Sequence, residues 1–255
     1  AAVHCVIVGF GLQDVAEKTI FEYENIKGEA LAVPVSNINP YLVDAPDLVL
    51  EKRNQPICIV PTISYGSMAN DDGHLLLDKE QRNALIAAEP ATAPYIRRYM
   101  GAQEFLNNAE RWCLWLKDIS PSLMRSSNEL RHRIEAVRKF RASSNREATR
   151  NLAATPSLFG EDRQPLKSYL LLPKVSSENR PYMPIGFMPS EVIANGSALT
   201  ISDSGHYEMG VLQSKMHMAW MRAVAGRMKS DYQYSAQIVY NNFPWPDLPE
   251  KLEPN

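Results

Sequence analysis

Leu123, Leu130, Ile134, Val137 and Phe140 recur at the spacing of one helix face across Pro121 to Arg150. A helix with a single apolar stripe is stable only when that stripe is buried, so this segment requires a packed core. The pattern changes at Ser168. Tyr169-Leu170-Leu171-Leu172-Pro173, Tyr182 to Phe187, Val192 to Ala194 and Ala198 to Ile201 read as short strands separated by turns. Upstream, Leu77 to Ala88 is helix-like, and Phe105 to Leu116 is aromatic-rich and expected to be buried. Gly28 to Pro61 mixes short apolar runs with Pro and Asn, as loops and short strands do, and Pro61 to Gly73 is loop-rich. Met209 to Met228 predicts an amphipathic helix whose five Met and one Trp belong to the core. Tyr232 to Tyr240 and Phe243-Pro244-Trp245-Pro246 form a rigid apolar ending. The expected class is mixed α/β (α+β), with a helical middle at about residues 78–155 inserted between two strand-rich parts.

A chain of 255 residues can bury a full core. Its net charge of −2 excludes generic binding of polyanions by the whole surface, so any nucleic-acid contact must come from local clustering. Between Arg125 and Arg150 there are eight Arg and Lys against three Glu. A solvated helix face is the bland explanation; in a net-negative chain the excess favours phosphate contact. Cys5, Cys58 and Cys113 are widely spaced, form no C-x-x-C and have no His at ligand spacing. That fits a reduced, cytoplasmic protein without a metal site. His4 is read as core packing. No run approaches the ~20 apolar residues of a membrane span, and the start lacks the basic region of a signal peptide. Ala1 to Phe10 reads as a buried strand that begins almost at once, without an initiator Met, as at a domain boundary.

No catalytic residue can be assigned. Asn39-Pro40-Tyr41 lacks the second Pro of the tetrapeptide that amino-methylating enzymes use to hold a flipped base, and is read as a turn. Gly9-Phe10-Gly11 lacks the spacing of a cofactor loop. Ser64, Ser67 and His74 share a loop but show no nucleophile elbow and no acidic partner. Asp71 and Asp72 stand in a turn sequence.

Several longer segments carry a resemblance. They are Arg97-Arg98-Tyr99-Met100-Gly101-Ala102-Gln103-Glu104-Phe105, Glu110-Arg111-Trp112-Cys113-Leu114-Trp115-Leu116, Ser176 to Phe187, Met216 to Arg222, and Tyr234 to Pro246. Together they resemble the MmeI-like (Type IIL) restriction–modification enzymes and their methyltransferase-only relatives, over nearly the whole chain. The resemblance implies that residues 1–25 are the final strand and exit of a Rossmann-like, S-adenosylmethionine-dependent N6-adenine methyltransferase domain. Residues 26–249 would be a strand-rich DNA target-recognition domain, and 250–255 the start of a linker to a helical region. The catalytic tetrapeptide and the S-adenosylmethionine site would lie upstream, so no cofactor is expected in this chain. Its expected partners are double-stranded DNA and the parent methyltransferase domain, in a bacterial cytoplasm.

Within that frame Lys229, Asp231 and Gln233 are the foremost base-reading candidates, because on a strand they share one face. Lys donates to guanine O6/N7, Asp accepts from cytosine N4 and Gln pairs with adenine, so Lys229 and Asp231 suit one G·C pair. A surface ion pair is the alternative. Asn195 and Ser197 are further base-reading candidates. Arg131, Arg138, Lys139, Arg141, Lys174, Arg180 and Arg227 are candidate backbone contacts. The rival functions are a protein-docking module of a multi-subunit defence complex and a fragment of an RNA methyltransferase.

Overall fold

The computed structural model describes residues 6–25 and 27–247. Residues 6–10, expected as part of a buried opening strand, form no strand, and Ile7 and Phe10 are almost fully exposed. An apolar run needs a neighbouring strand to pair with, and the described residues supply none here. His4 and Cys5 lie outside the described residues. β1 (Lys18–Glu22) and β2 (Leu31–Val35) follow as an antiparallel hairpin that leaves Phe21 and Leu31 exposed.

β3 (Ile63–Tyr65) and β4 (Leu76–Leu77) flank the loop expected there. Helix α1 (Lys79–Ala88) starts at Asp78, which accepts from Gln81 N while the Gln81 side chain accepts from Asp78 N. β5 (Ile96–Met100), the short α2 (Ala102–Asn107) and β6 (Trp112–Leu114) come next. The long helix expected over Pro121 to Arg150 is three helices, α3 (Pro121–Ser126), α4 (Asn128–Ala142) and α5 (Glu147–Asn151). Serines make the first break: Ser120 Oγ accepts from Leu123 N, and Ser127 Oγ accepts from Leu130 N. Ser127 in turn donates to Glu89, whose carboxylate also accepts from the first amides of α4. The negative charge there complements the helix dipole.

β7 (Tyr169–Pro173), β8 (Val175–Ser176), β9 (Gly186–Met188), β10 (Ile193–Ala194) and β11 (Ala198–Ser202) then precede α6 (His206–Leu212) and α7 (Lys215–Val224). The helix expected over Met209 to Met228 is interrupted where Ser214 caps α7, and its last residues become strand β12 (Gly226–Met228). Met218 and Met221 are core, as expected, but Met216 and Met228 are exposed. β13 (Asp231–Gln233) and a π-helical turn at Ala236–Tyr240 complete the described order.

The sheets run β10-β5-β6-β4, β3-β11-β7-β9 and β12-β13-β8. The first covers a core of Leu75, Leu77, Trp112 and Leu114 against Leu130, Ile134 and Val137 of α4. In the second, β7 is buried on both faces. Leu170 and Leu172 face α6, α7 and Phe243, whereas Tyr169 and Leu171 face Met100, Ala194 and Ala198. This explains why Tyr169 to Leu172 is apolar without alternation. The two sheets meet at Asn195, which bridges Ser67 and lies on β5 through its N–H bond to Met100 O. Gly66 and Gly101 are needed there, because a Cβ at either position would collide with Asn195. Among the described residues no helix is long and apolar enough to cross a membrane.

Candidate nucleic-acid interface

β12 and β13 form a ribbon whose closing pair is Met228 and Asp231, leaving Lys229-Ser230 as a two-residue turn. Lys229 has φ of 58°, the left-handed region that costs a side chain about 1–2 kcal/mol. The sequence placed Lys229, Asp231 and Gln233 on one strand face. Asp231 and Gln233 do share a face, but Lys229 sits at the tip, because the turn breaks the alternation of the strand. Gly226 lies opposite Gln233 and offers no side chain to cover its amide.

The back of the ribbon is braced. Tyr232 is buried, and the Arg227 guanidinium lies 3.9 Å from its ring centroid. Arg227 Nη1 also donates to Ser230 O at 2.8 Å and stands 3.6 Å from Glu178 Oε2. Arg227 is thus on the face away from Asp231 and Gln233. At the foot, Tyr234 N donates to Lys174 O at 2.7 Å, and the Tyr234 hydroxyl is 3.0 Å from His217 Nε2. Both rings are buried. Burial holds His217 down to a pKa of about 4 and raises that of Tyr234, with Tyr240 adding to the rise.

The remaining candidates divide by their surroundings. Lys174 N donates to Ser197 O at 3.1 Å, and its Nζ reaches Gly196 O at 3.4 Å, so this lysine stands beside the foot of the ribbon. Arg180 Nη1 is 3.5 Å from Ser176 Oγ on β8. Asn195 Oδ1 accepts from Ser197 N and from Ser197 Oγ, which itself accepts from Ala102 N at 2.9 Å. These two side chains hold the turn together; Ser197 remains exposed. The structure therefore gathers Lys229, Asp231, Gln233, Lys174, Arg180 and the 195–197 turn around one ribbon.

Helix α4 is a separate region, and one of its candidates is withdrawn. Arg141 has no exposed surface, and all five of its N–H groups donate to backbone carbonyls, those of Ala69, Asn70, Leu152, Thr155 and Leu158. It lies on the α4 face that carries Ile134 and Val137, and no phosphate can reach it. Arg138 is exposed and paired with Glu135 at 3.1 Å, Arg131 is exposed beside Asn128, and Lys139 is exposed. Arg133 pairs with Glu129 at 2.7 Å and donates to His74 O. The positive stripe read from the sequence is thinner in three dimensions.

The other residues set aside in the sequence also have structural roles. Asn39 closes a turn by accepting from Tyr41 N at 2.9 Å and Val43 N at 3.3 Å. Cys113 is fully buried, which pushes its thiol pKa up and away from nucleophilic use. Tyr65 and Arg163, which adjoin Lys174, escaped the sequence reading. They lie far apart along the chain: the order β3-β11-β7 brings Lys174 towards Tyr65, and the Met68–Glu161 bridge with the bond from Arg163 N to Ser67 Oγ brings Arg163 there.

The family described as MmeI, target recognition domain, matches residues 44–247. The chain belongs to this family. The MmeI-like resemblance drawn from the sequence motifs is therefore correct. DNA methyltransferase A of Bacillus subtilis (strain 168) is 38% identical over 249 residues, covering 97% of this chain and 28% of that protein. The solved structure of the Type IIL restriction-modification enzyme MmeI in complex with DNA superposes with a TM-score of 0.92 and 47% identity. That match covers 98% of this chain and 34% of the MmeI chain. The MmeI-like fold thus extends over the mixed α/β architecture described above, and the chain spans about a third or less of these relatives.

Proposed function

We propose that this chain reads a double-stranded DNA sequence for a site-specific DNA methyltransferase, with the β12–β13 ribbon as its reading element. The observation that carries this reading is membership of a target-recognition family in a chain whose exposed ribbon is braced from behind. The ribbon presents Asp231 and Gln233 to one side and Lys229 at its tip, with base-pairing side chains outward and anchors inward. Lys174, Arg180, Asn195 and Ser197 line its foot as further base or backbone contacts. Arg131, Arg138 and Lys139 act as phosphate contacts on α4.

The chemistry belongs to the parent enzyme, an N6-adenine methyltransferase that uses S-adenosylmethionine in the bacterial cytoplasm. Residues 1–25 close that domain, 26–249 form the reading module and 250–255 lead onward. The exposed Val6, Ile7, Phe10 and Phe21 are apolar surface that a contact with the methyltransferase domain would bury.

Lys229 and Asp231 are assigned to one G·C pair. The double variant Lys229→Glu with Asp231→Arg is expected to invert the preferred pair, because the acceptor and donor exchange places. Selection from a randomised duplex library measures this, with a discrimination of about 1–3 kcal/mol at that position. Recovery of the wild-type sequence by the double variant would sink the assignment. A gel-shift series on random duplex tests the broader reading: binding should weaken steeply with salt, whereas a protein-docking module would show no such dependence. In the same series Arg138→Ala is expected to flatten the salt slope by ~0.9. An unchanged slope removes Arg138 from the contact set.

A further inference from the structure

Tyr65 is on an edge strand and 41% exposed, so its ring is not placed there for burial. Lys174 Nζ lies 4.9 Å from the ring centroid, and the Arg163 guanidinium lies over the same ring at 6.0 Å. The backbone that carries the ring is fixed, and so is the guanidinium over it. β3 pairs with β11 through Tyr65 and Leu199, and Arg163 is held by Glu161 and by Gly66 O. The lysine backbone is fixed as well, donating to Ser197 O and accepting from Tyr234 N, the residue that follows Gln233.

We propose that Tyr65 is a positioning residue, which holds the Lys174 ammonium at one point beside the reading ribbon. This rests on the reading of the chain as a DNA-recognition module. A lysine that only neutralises phosphate gains little from a fixed location, since counterion release depends on charge rather than on placement. Fixing a four-carbon side chain costs rotamer entropy. Cation–π attraction from Tyr65 and the bond to Gly196 O offset that cost before DNA arrives. The free chain therefore carries Lys174 already set relative to Gln233, and discrimination between sequences depends on that setting.

The charge and the ring can be separated. The sequence preferred by the wild-type chain is first selected from a randomised duplex library. Binding to that duplex and to a scrambled one is then measured over a salt series. Lys174→Ala is expected to flatten the slope by ~0.9 on both duplexes. Tyr65→Leu keeps the charge, so its slope on the scrambled duplex should match wild type, while the ratio of preferred to scrambled affinity falls roughly 3- to 30-fold. Tyr65→Phe should restore the wild-type ratio, and Tyr65→Leu should add nothing in a Lys174→Ala background. If thermal melting shows the Leu variant to be misfolded, Tyr65→Thr takes its place, since a β-branched residue suits an edge strand. An unchanged ratio in Tyr65→Leu, loss of the ratio in Tyr65→Phe, or full additivity with Lys174→Ala overturns the positioning role alone. A wild-type chain that shows no salt-dependent binding to either duplex overturns the DNA reading and this role with it.

Discussion

Arg141→Met should lower the stability of this chain by about 3–5 kcal/mol, a large share of the roughly 5–15 kcal/mol that holds an ordinary domain folded. The guanidinium is fully buried, and each of its five N–H groups has a carbonyl partner at 2.7–3.0 Å. Those carbonyls come from residues 69–70, after β3, and from residues 152–158, after α5. One side chain therefore ties α4 both to the segment that follows α5 and to the segment after β3, far upstream in the chain. Burial lowers the arginine pKa and Asp71 partly opposes this; a guanidinium is basic enough to stay charged in a protein. Removing it takes a donor from all five carbonyls. Those of Ala69, Leu152 and Thr155 keep the backbone amides of Gly160, Thr155 and Leu158. Those of Asn70 and Leu158 lose their donor, at about 1–3 kcal/mol each if water cannot enter. Lysine is no substitute, because three donors on one nitrogen cannot reach five acceptors arranged around a planar fork. Urea denaturation measures the effect, with Arg138→Met as the surface control, expected within about 0.5 kcal/mol of wild type. A midpoint for Arg141→Met close to that of the control would show that the carbonyl cluster contributes nothing.

The second large effect is on pH dependence. His217 is buried between Tyr234 and Phe243, and burial lowers its pKa from 6.5 to about 4. As pH falls below about 6.5 the unfolded chain takes up a proton on this residue while the folded chain resists until about 4. Stability from this group is therefore fully present above pH 6.5 and is lost as the pH falls towards 4, by about 3 kcal/mol in all. His217→Gln keeps an acceptor for the Tyr234 hydroxyl and removes the titration. Melting temperatures measured between pH 7 and 4 should fall more steeply for wild type than for the variant. Parallel profiles would mean that the ring is hydrated or reoriented in solution. Because Tyr234 follows Gln233 directly, acid should loosen the ribbon that this tyrosine anchors.

The sequence made the main architecture legible where one periodicity dominated. Leu130, Ile134 and Val137 are buried along α4, and Tyr169 to Leu172 form a strand enclosed on both faces. It was less informative at element ends. Ser127 and Ser214 each cap a new helix within what periodicity alone reads as one continuous helix, since a serine hydroxyl competes for amides without altering the apolar pattern. Residues 6–10 have strand composition but no neighbour among the described residues. At the site, Asp231 and Gln233 emerged from two-residue alternation, whereas the turn position of Lys229 depended on which residues closed the hairpin.

By itself the sequence determined the family, through ordered motifs from Arg97 to Pro246, and the residue types available for reading bases. Only the tertiary structure decided which cations are free to act. Arg131, Arg138, Lys139 and Arg141 look alike along α4, yet the first three point to solvent and the fourth is enclosed by five carbonyls. The reason is physical. A guanidinium's role depends on which acceptors lie within 3 Å of it, and for Arg141 those acceptors come from residues 69–70 and 152–158, which only folding brings to α4.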